Sequence, residues 1–358
     1  MKYPIPHVLP CPNCKPPACR WPHGISGRGR CALLLLTVAL AACALVGPRV
    51  IHETPSMFGT LVVTDDGDNL RSLRFGRNGI TQSTTKVGDP DHLQFGYTKL
   101  ALAGIALLPA GAPASAGPPL AAAPGEAIPA VPANLPASAP PPPPGSALPA
   151  PRRALIVGLG GGTLPAFLHR HHPDTLIDVV DIDPAVIAAA KQFFGFTEDA
   201  RMKAHAGDGR AFIERAPRAH YDLIILDAFG DSEVPSHLTT REFLQAVHAA
   251  LSPDGVVVSN VWRRGYNLLY DNMLRTYADV FATLHVLESA REVNNLVFAL
   301  PQARIVSREQ FAARAQRLAQ RGGYRFDLGQ LVMESYAAGP VVRSGAEVLR
   351  DVPVRRAP

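Results

Sequence analysis

The stretch Ala154-Leu-Ile-Val-Gly-Leu-Gly-Gly-Gly-Thr163 joins an apolar run to a glycine-rich turn. A second run, Ile177-Asp-Val-Val-Asp-Ile-Asp-Pro184, follows about 20 residues later and contains acidic residues at its end. The first run predicts a strand, and the glycines allow the backbone to approach a ligand closely. A carboxylate after the second strand can accept hydrogen bonds from a ribose. Strand, glycine turn, helix and acid together indicate a nucleotide- or nucleoside-binding β-α-β unit.

Strands and helices continue to alternate along the chain beyond this unit. The alternation predicts an α/β fold with a doubly wound, mostly parallel, seven-stranded Rossmann-like sheet and helices on both faces. Ligands in such sheets bind beyond the carboxyl ends of the strands. The predicted strands cover 154–158, 177–181, 202–206, 221–227, 255–260, 283–288 and 295–300, and the helices cover 163–171, 184–194, 209–215, 239–251 and 267–280.

A small antiparallel β-domain, residues 55–108, is predicted in front of this sheet. Alternating residues at 58–64 and 70–75 flank the turn Asp65-Asp-Gly-Asp68, and a third strand follows at 80–83. An apolar helix is predicted over 97–108.

Residues 109–151 separate the two predicted domains. They hold 15 of the 35 prolines, and Glu126 is their only charged residue. We predict a disordered spacer with local polyproline II structure, in preference to a specific ligand for a polyproline-binding partner. The Rossmann-like catalytic domain then covers 152–303, and a C-terminal helix (306–321) and tail occupy 304–358.

The first 30 residues form a basic leader that we predict to be disordered. They contain five lysines and arginines and no acid, which accounts for the net charge of +5. The remaining charge is balanced, so the basic pI does not indicate a nucleic-acid partner. All five cysteines lie in the first 43 residues. Cys11, Cys14 and Cys19 could bind a metal, but no second pair follows at zinc spacing, and we predict no metal site.

Residues 31–47 contain an apolar run that follows arginines and ends at Gly47-Pro48. The run suits the core of a signal peptide or a single anchor, and Leu40-Ala-Ala-Cys43 resembles a bacterial lipobox in which the cysteine is lipidated. Two other interpretations are also open: the run is a buried helix, or the assigned start of the chain lies upstream of the true one. We therefore expect association with a membrane through this segment. Positive charge before the run places the body away from the cytoplasm, which conflicts with a cytosolic ligand and leaves the side of the membrane open.

Four acids follow predicted strands of the large sheet. Asp181 ends the second strand, where a ribose is expected to lie, whereas Asp183 precedes Pro184 and suits the cap of the next helix. Asp208 follows the third strand and can accept a hydrogen bond from an exocyclic amine such as that of adenine, or serve as a turn residue. Asp227 ends a strand that we predict to be wholly buried, at the centre of the sheet. Partial desolvation there suits a general base or a ligand for an ammonium group.

Four motifs occur in the order and spacing of the spermidine synthase (polyamine aminopropyltransferase) family, which the chain resembles over about residues 58–300. They are Val157-Gly-Leu-Gly-Gly-Gly-Thr163, Val179-Val-Asp-Ile-Asp-Pro-Ala-Val-Ile187, Gly207-Asp-Gly-Arg-Ala-Phe-Ile213 and Tyr221-Asp-Leu-Ile-Ile-Leu-Asp227. Asn78-Gly-Ile-Thr-Gln82 is similar to the family's L-D-G-x-x-Q turn, and Tyr97 falls in its Y-H-E segment. Residues 227–239 resemble a divergent, often membrane-associated bacterial branch.

This resemblance implies a sheet of the S-adenosylmethionine methyltransferase type and decarboxylated S-adenosylmethionine as co-substrate. The implied acceptor is a small-molecule amine or polyamine, and a homodimer is one option for the assembly. Asp227 is implied as the catalytic residue that takes a proton from the attacking amine. Tyr97 and Asp231 are implied in amine binding, and the implied nucleoside-binding residues are Gln82, Gly158, Gly160, Gly161, Asp181, Asp208 and Gly209.

The chain departs from the family pattern at the amine side of the site. The family's glycine turn carries an aspartate that this chain lacks, Lys99 replaces the acid of the Y-H-E segment, and the D-S-T-D-P signature is absent. Three other functions are therefore open. An S-adenosylmethionine-dependent methyltransferase uses the same scaffold, and a noncatalytic membrane-tethered nucleoside-binding protein is the third reading. An NAD-dependent dehydrogenase is the least favoured of these functions, because Asp208 and Asp227 would have no role in it.

Overall fold

The computed structural model describes residues 47–109, 149–229, 234–289, 292–337 and 342–352. The predicted leader, the apolar segment with Cys43, most of the proline-rich tract and Asp231 lie outside these ranges. Residues from Pro48 onward belong to one compact unit. Within the described ranges, no helix is long and apolar enough to cross a membrane.

A four-stranded antiparallel sheet opens the described chain. Its strands are β1 (Arg49–Ser56), β2 (Gly59–Gly67), β3 (Leu70–Phe75) and β4 (Thr81–Lys86), and they pair in sequence order. The sequence predicted only the last three. None of the β1 residues is fully buried, so this edge strand lacks the apolar alternation that marks its neighbours.

The large sheet contains β5 (Arg153–Val157), β6 (Leu176–Asp181), β7 (Met202–Ala206), β8 (Tyr221–Leu226), β9 (Leu251–Trp262), β10 (Thr283–Glu288) and β11 (Asn294–Leu300). The strand order is β10-β11-β9-β8-β5-β6-β7. Strands β5 to β9 are parallel, whereas β11 runs antiparallel to both of its neighbours. The predicted doubly wound, mostly parallel seven-stranded sheet is thus confirmed. The chain order reverses between β5 and β8, which places the ligand crevice beside β5.

Helices lie before, between and after these strands. They are α1 (Gly96–Ala101), α2 (Thr163–His171), α3 (Pro184–Phe193), α4 (Gly209–Arg215), α5 (Arg241–Ala250), α6 (Tyr270–Val280), α7 (Arg308–Arg321) and α8 (Leu328–Ser335). The apolar helix predicted over 97–108 changes at Leu102 into a 3₁₀ helix, Leu102–Leu107. All six residues of that 3₁₀ helix are buried, and Gly104 faces Val258 so closely that a Cβ there would lie 2.5 Å from its Cγ2. Helix α8 has no counterpart in the sequence prediction.

Two apolar layers cover the faces of the large sheet. Alternate residues of β5 divide between them: Ala154 and Ile156 lie in one layer, and Leu155 and Val157 in the other. The first layer also contains Leu61, Val63 and Leu73 from the small sheet, so both sheets share one continuous buried core.

Asp183 fastens the small sheet to the large one. The carboxylate of Asp183, only 1% exposed, accepts the Ala185 N–H at 2.9 Å and caps helix α3, as the sequence predicted. It also accepts hydrogen bonds from the Ser56 hydroxyl and from the Met57 N–H at 3.2 Å, in the turn between β1 and β2. One buried carboxylate therefore links the small sheet to the start of helix α3.

Candidate active site

A cavity of about 630 Å³ lies beyond the carboxyl ends of the parallel strands, between the two sheets. Most of the predicted site residues line it: Gln82, Tyr97, Gly158, Gly160, Asp181, Asp208, Gly209 and Asp227. Asp231 lies outside the described residues. Residues that the sequence did not single out also line the cavity, including Asn260, Trp262, Glu292 and Asn294.

The glycine turn approaches the end of β8 with no room for a side chain. Gly158 has a φ of +102°, and a Cβ added there would lie 2.4 Å from the carbonyl oxygen of Asp227. The backbone of Gly158 donates to the carbonyl of Val180, 2.8 Å away, and Asp227 donates to Val157 at 2.8 Å. Glycine at 158 thus lets three strand ends converge at the floor of the cavity.

Gly161 does not line the cavity, unlike the other predicted glycines. A Cβ at this position would lie 2.8 Å from Cδ1 of Phe194 and 2.8 Å from Oγ of Ser83. The space that a side chain at 161 would need is therefore filled by the end of α3 and by β4. This part of the glycine turn therefore packs between the two sheets, because Ser83 belongs to the small one.

Asp181 ties the end of β6 to the glycine turn. Its carboxylate accepts the Leu159 N–H at 2.8 Å and the Asp183 N–H at 2.9 Å. Burial raises the pKa of Asp181 above its usual value, against the effect of these backbone donors. The side chain still lines the cavity, so its remaining lone pairs can accept hydrogen bonds from a ligand.

Asp208 has two protein partners and caps helix α4. One carboxylate oxygen accepts the Ala211 N–H and the other meets Nε2 of His237, each at 2.8 Å. Burial raises the pKa of Asp208, but the Ala211 N–H and His237 outweigh it and hold the pKa below its usual value. The sequence predicted a base-binding acid or a turn residue, and the structure shows a helix cap that also lines the cavity.

Asp227 lies at the centre of a hydrogen-bonded chain of side chains. The Asn260 amide donates to its carboxylate at 2.8 Å, and the Asn294 amide donates to Asn260 at 3.0 Å. The Tyr97 hydroxyl forms a further hydrogen bond with the carboxylate. Burial raises the pKa of Asp227 to about 7, while Asn260 and Tyr97 partly oppose that shift. A carboxyl group with this pKa can exchange a proton near neutral pH.

Tyr97 also contacts a second carboxylate through its backbone. Glu292 accepts the Gly96 N–H at 2.7 Å and the Tyr97 N–H at 2.8 Å, at the start of α1. The Lys99 ammonium lies 5.8 Å from the ring centre of Phe326, and Lys99 is not among the residues that line the cavity. The cation that replaces the family's acid therefore points away from the site.

The cavity is lined by acids and aromatic rings. Its four carboxylates belong to Asp181, Asp208, Asp227 and Glu292, and no lysine or arginine of the described chain lines it. Trp262 stacks on Phe229 with ring centres 5.5 Å apart, and Phe95 stacks on Tyr97 at 5.8 Å. Gln82 makes only a long contact of 3.5 Å to the Ile80 carbonyl, so its amide can bind a ligand. Carboxylates and aromatic faces favour a cationic ligand.

The doubly wound sheet with this acidic cavity at its carboxyl edge has the architecture expected of a transferase. Comparisons with known proteins identify the family within this class. A family model of the spermine/spermidine synthase domain matches residues 143–287. The polyamine aminopropyltransferase of Vibrio vulnificus is 29% identical over 290 residues, 80% of this chain and 83% of that protein. That of Chromobacterium violaceum is 32% identical over 179 residues, 49% of this chain and 67% of that protein. The chain belongs to the spermidine synthase family.

Two further comparisons concern a second family and the fold. The bovine eEF1A lysine and N-terminal methyltransferase is 40% identical over 161 residues, but this chain covers only 23% of that protein. A probable spermidine synthase from Corynebacterium glutamicum has the same fold, with a TM-score of 0.59 and 18% identity, over 86% of this chain and 99% of that chain. The predicted family and fold are therefore confirmed.

Proposed function

We propose that the protein transfers an aminopropyl group from decarboxylated S-adenosylmethionine to an amine. The observation that carries this proposal is the buried carboxyl of Asp227, hydrogen-bonded to Tyr97 and Asn260 and facing the cavity beside the glycine turn. A nucleoside with its ribose near Asp181 and Gln82 and its base near Asp208 brings its sulfonium toward Asp227. Spermidine synthases and polyamine aminopropyltransferases are also the relatives that this chain matches over most of its length.

The proposed reaction is a single displacement. The lone pair of the amine attacks the carbon next to the sulfonium, the carbon–sulfur bond breaks, and sulfur keeps the electron pair. The products are methylthioadenosine and the alkylated amine, and the proton lost from nitrogen goes to Asp227. The leaving group is a neutral thioether and needs no acid catalyst, so the protein must deprotonate the amine and hold it in line.

The charge of the cavity favours the decarboxylated co-substrate. S-adenosylmethionine carries a carboxylate that its decarboxylated form lacks, and the described lining offers four carboxylates and no lysine or arginine to meet it. Like charges in a partly desolvated cavity repel one another, whereas an aminopropyl ammonium is attracted. The carboxylates of the cavity can therefore bind the aminopropyl ammonium even without an aspartate in the glycine turn.

The test is product analysis with purified protein. We expect methylthioadenosine when the protein is incubated with decarboxylated S-adenosylmethionine and a panel of amines. Asp227→Asn should reduce the rate at least about 100-fold, the effect of losing a positioned base, while the exposed Asp174→Asn should keep full activity. Nucleoside binding without methylthioadenosine from any amine would support the noncatalytic alternative and overturn this proposal.

A methyltransferase is the second candidate, and the packing around Gly161 favours it. Phe194 and Ser83 occupy the place of the loop aspartate that serves the aminopropyl end in the resembling family. The same assay separates the two functions. Incubation with S-adenosylmethionine and the same amines should give S-adenosylhomocysteine if the methyltransferase candidate is correct and none if the aminopropyl proposal is correct.

The attachment to a membrane through residues 31–47 is a separate proposal. It is supported by the apolar run that follows basic residues and by the lipobox-like Leu40-Ala-Ala-Cys43. Fractionation of cells that express the whole chain, with a Cys43→Ser control, tests it, and reporters fused after residue 47 give the side of the membrane. A soluble whole chain would contradict the proposal. Sedimentation of the detergent-extracted chain tests the homodimer.

A further inference from the structure

Residues 342–352 form a C-terminal tail that lies against helices α6 and α5. The Leu349 N–H donates to the Thr276 hydroxyl of α6 at 2.9 Å, and the Leu349 carbonyl accepts the Arg241 N–H at the start of α5 at 2.8 Å. The Leu349 side chain packs against the apolar layer that α5 and α6 share. The tail is thus fixed to the body of the protein two residues before Asp351.

Asp351 forms a bidentate ion pair with Arg210, the second residue of α4. The guanidinium nitrogens Nη1 and Nη2 of Arg210 lie 2.7 and 2.6 Å from the two carboxylate oxygens. Hydrogen bonds from Arg210 lower the pKa of Asp351 to about 2, so the carboxylate is charged at neutral pH. Single surface ion pairs contribute little, but a bidentate pair fixes the orientation of the guanidinium plane.

Arg210 also contacts the segment before α5 that borders the cavity. Its Nη1 donates to the His237 carbonyl at 3.3 Å, and Nε2 of His237 lies 2.8 Å from the Asp208 carboxylate. His237 and Asp208 line the cavity, whereas Arg210 and Asp351 are not among its lining residues. The start of α4 therefore holds His237 at both its carbonyl and its ring. A continuous series of polar contacts joins the tail to the acid at the nucleoside side.

We propose that the C-terminal tail positions Asp208 for the nucleoside, with Asp351 and Arg210 as positioning residues that act through His237. Asp208 can still accept from a ligand, because a carboxylate has about four acceptor sites and only the Ala211 N–H and His237 are its side-chain partners here. Hydrogen bonds are directional, so the orientation of this carboxylate decides how well it meets an exocyclic amine. The inference rests on the placement of the base at Asp208 in the proposed function.

The competing explanation is that Asp351 only ties the tail to the body. Two ligands separate the roles, because methylthioadenosine carries an exocyclic amine and methylthioinosine has a carbonyl oxygen in its place. A displaced Asp208 weakens the binding of the first ligand, whereas a general loosening of the site weakens both. Asp351→Asn removes the charge and Asp351→Glu keeps it. Glu347→Gln, an exposed change in the same tail, is the matched control.

Calorimetric titration of the purified protein gives both dissociation constants. We expect Asp351→Asn to weaken methylthioadenosine binding about 5- to 20-fold and methylthioinosine binding by less than about twofold, as for a hydrogen bond that is impaired in one complex. Asp351→Glu should restore most of the lost affinity, and Glu347→Gln should change neither constant. Unchanged methylthioadenosine binding in Asp351→Asn, or an equal loss for both ligands, would overturn the inference.

A double-mutant cycle tests whether the effect passes through Arg210. Arg210→Gln removes the guanidinium that Asp351 holds, so adding Asp351→Asn to this variant should cost almost no further affinity for methylthioadenosine. Losses that simply add would show that the tail does not act through Arg210, and the inference would be wrong.

These binding measurements need no turnover, so they separate the inference from the proposed function. If no amine yields methylthioadenosine, aminopropyl transfer fails as the function, yet a selective and coupled loss of methylthioadenosine binding still supports the inference. Equal affinity of the wild type for the two ligands would instead overturn the placement of the base at Asp208, and the inference with it.

Discussion

The hydroxyl of Tyr97 is hydrogen-bonded to the carboxylate of Asp227, which joins the start of α1 to the end of β8. Burial raises the pKa of the tyrosine well above its ordinary value, so the hydroxyl stays protonated and donates a hydrogen bond to the carboxylate. The same bond opposes the rise in the pKa of Asp227. The tyrosine therefore adjusts the pH at which the proposed base works.

Tyr97→Phe should move the pH profile of the enzyme upward. Without the hydroxyl donor, the pKa of Asp227 rises above its value of about 7, and the carboxylate form that accepts a proton appears only at higher pH. We expect the acidic limb of kcat/KM to shift by about 0.5 to 1 pH unit, equivalent to a hydrogen bond of about 1 kcal/mol. The measurement is kcat/KM for one amine between pH 5 and 9.

Tyr266→Phe is the control for this change, since Tyr266 is 59% exposed and does not line the cavity. Its profile should match that of the wild type. A shift of Tyr97→Phe toward lower pH would contradict the assignment of Asp227 as the titrating group.

Gly161→Ala should destabilise the protein by about 1 to 3 kcal/mol, the usual effect of overpacking a filled space. The added Cβ would lie 2.8 Å from both Phe194 and Ser83, so one of them must move. Chemical denaturation gives the free energy of unfolding of the wild type and the variant. The folded variant should lose little activity, because Gly161 does not line the cavity.

A second variant identifies the cause of that loss. Phe194→Leu replaces the ring that the new Cβ would contact with a smaller side chain. Gly161→Ala should therefore be less destabilising in this background than in the wild type. Strictly additive losses would show that Phe194 is not the obstacle.

His172 should make the protein sensitive to acid. The side chain is 4% exposed, its Nε2 lies 2.7 Å from the Tyr324 hydroxyl, and burial lowers the pKa of its imidazole to about 4. An unfolded histidine has a pKa of about 6.5 and binds a proton that the folded one rejects. The stability that this neutral histidine supports is thus present above pH 6.5 and is lost as pH falls toward 4.

The expected loss over this range is about 3 kcal/mol at most, since each pKa unit corresponds to about 1.4 kcal/mol. Urea denaturation at several pH values measures it. His172→Phe should flatten the decline between pH 6.5 and 4, whereas Tyr324→Phe should keep it, because the histidine stays buried. An unchanged slope in His172→Phe would assign the acid sensitivity to another group.

The large sheet could be predicted from the sequence because its strands are buried on both faces. Continuous apolar runs such as residues 223–226 show this directly, and the acids that end them mark the ligand edge. The sequence did not predict the edge strand β1 or the helix α8. Strand β1 has no buried residue to give a period, and α8 lies in a tail whose packing partner, α7, is known only from the fold.

The candidate site could be predicted only where one local motif carries it. Asp181 and Asp227 follow strands, and Tyr97 and Gln82 fall in motifs of the resembling family. Glu292 could not be found in this way, because its contacts to Gly96 and Tyr97 join segments that are far apart in sequence. Asp208 illustrates another limit, since an acid that caps a helix and an acid that binds a base look alike before a Gly-Arg pair.

The cavity collects side chains from beyond the segment that the family model matches. The segment matched by the family model, residues 143–287, holds the glycine turn, Asp181, Asp208 and Asp227. Gln82 and Tyr97 precede this segment and Glu292 follows it, yet all three line the same cavity. Substitutions outside the matched segment can therefore change the shape and charge of the cavity while the segment itself stays the same.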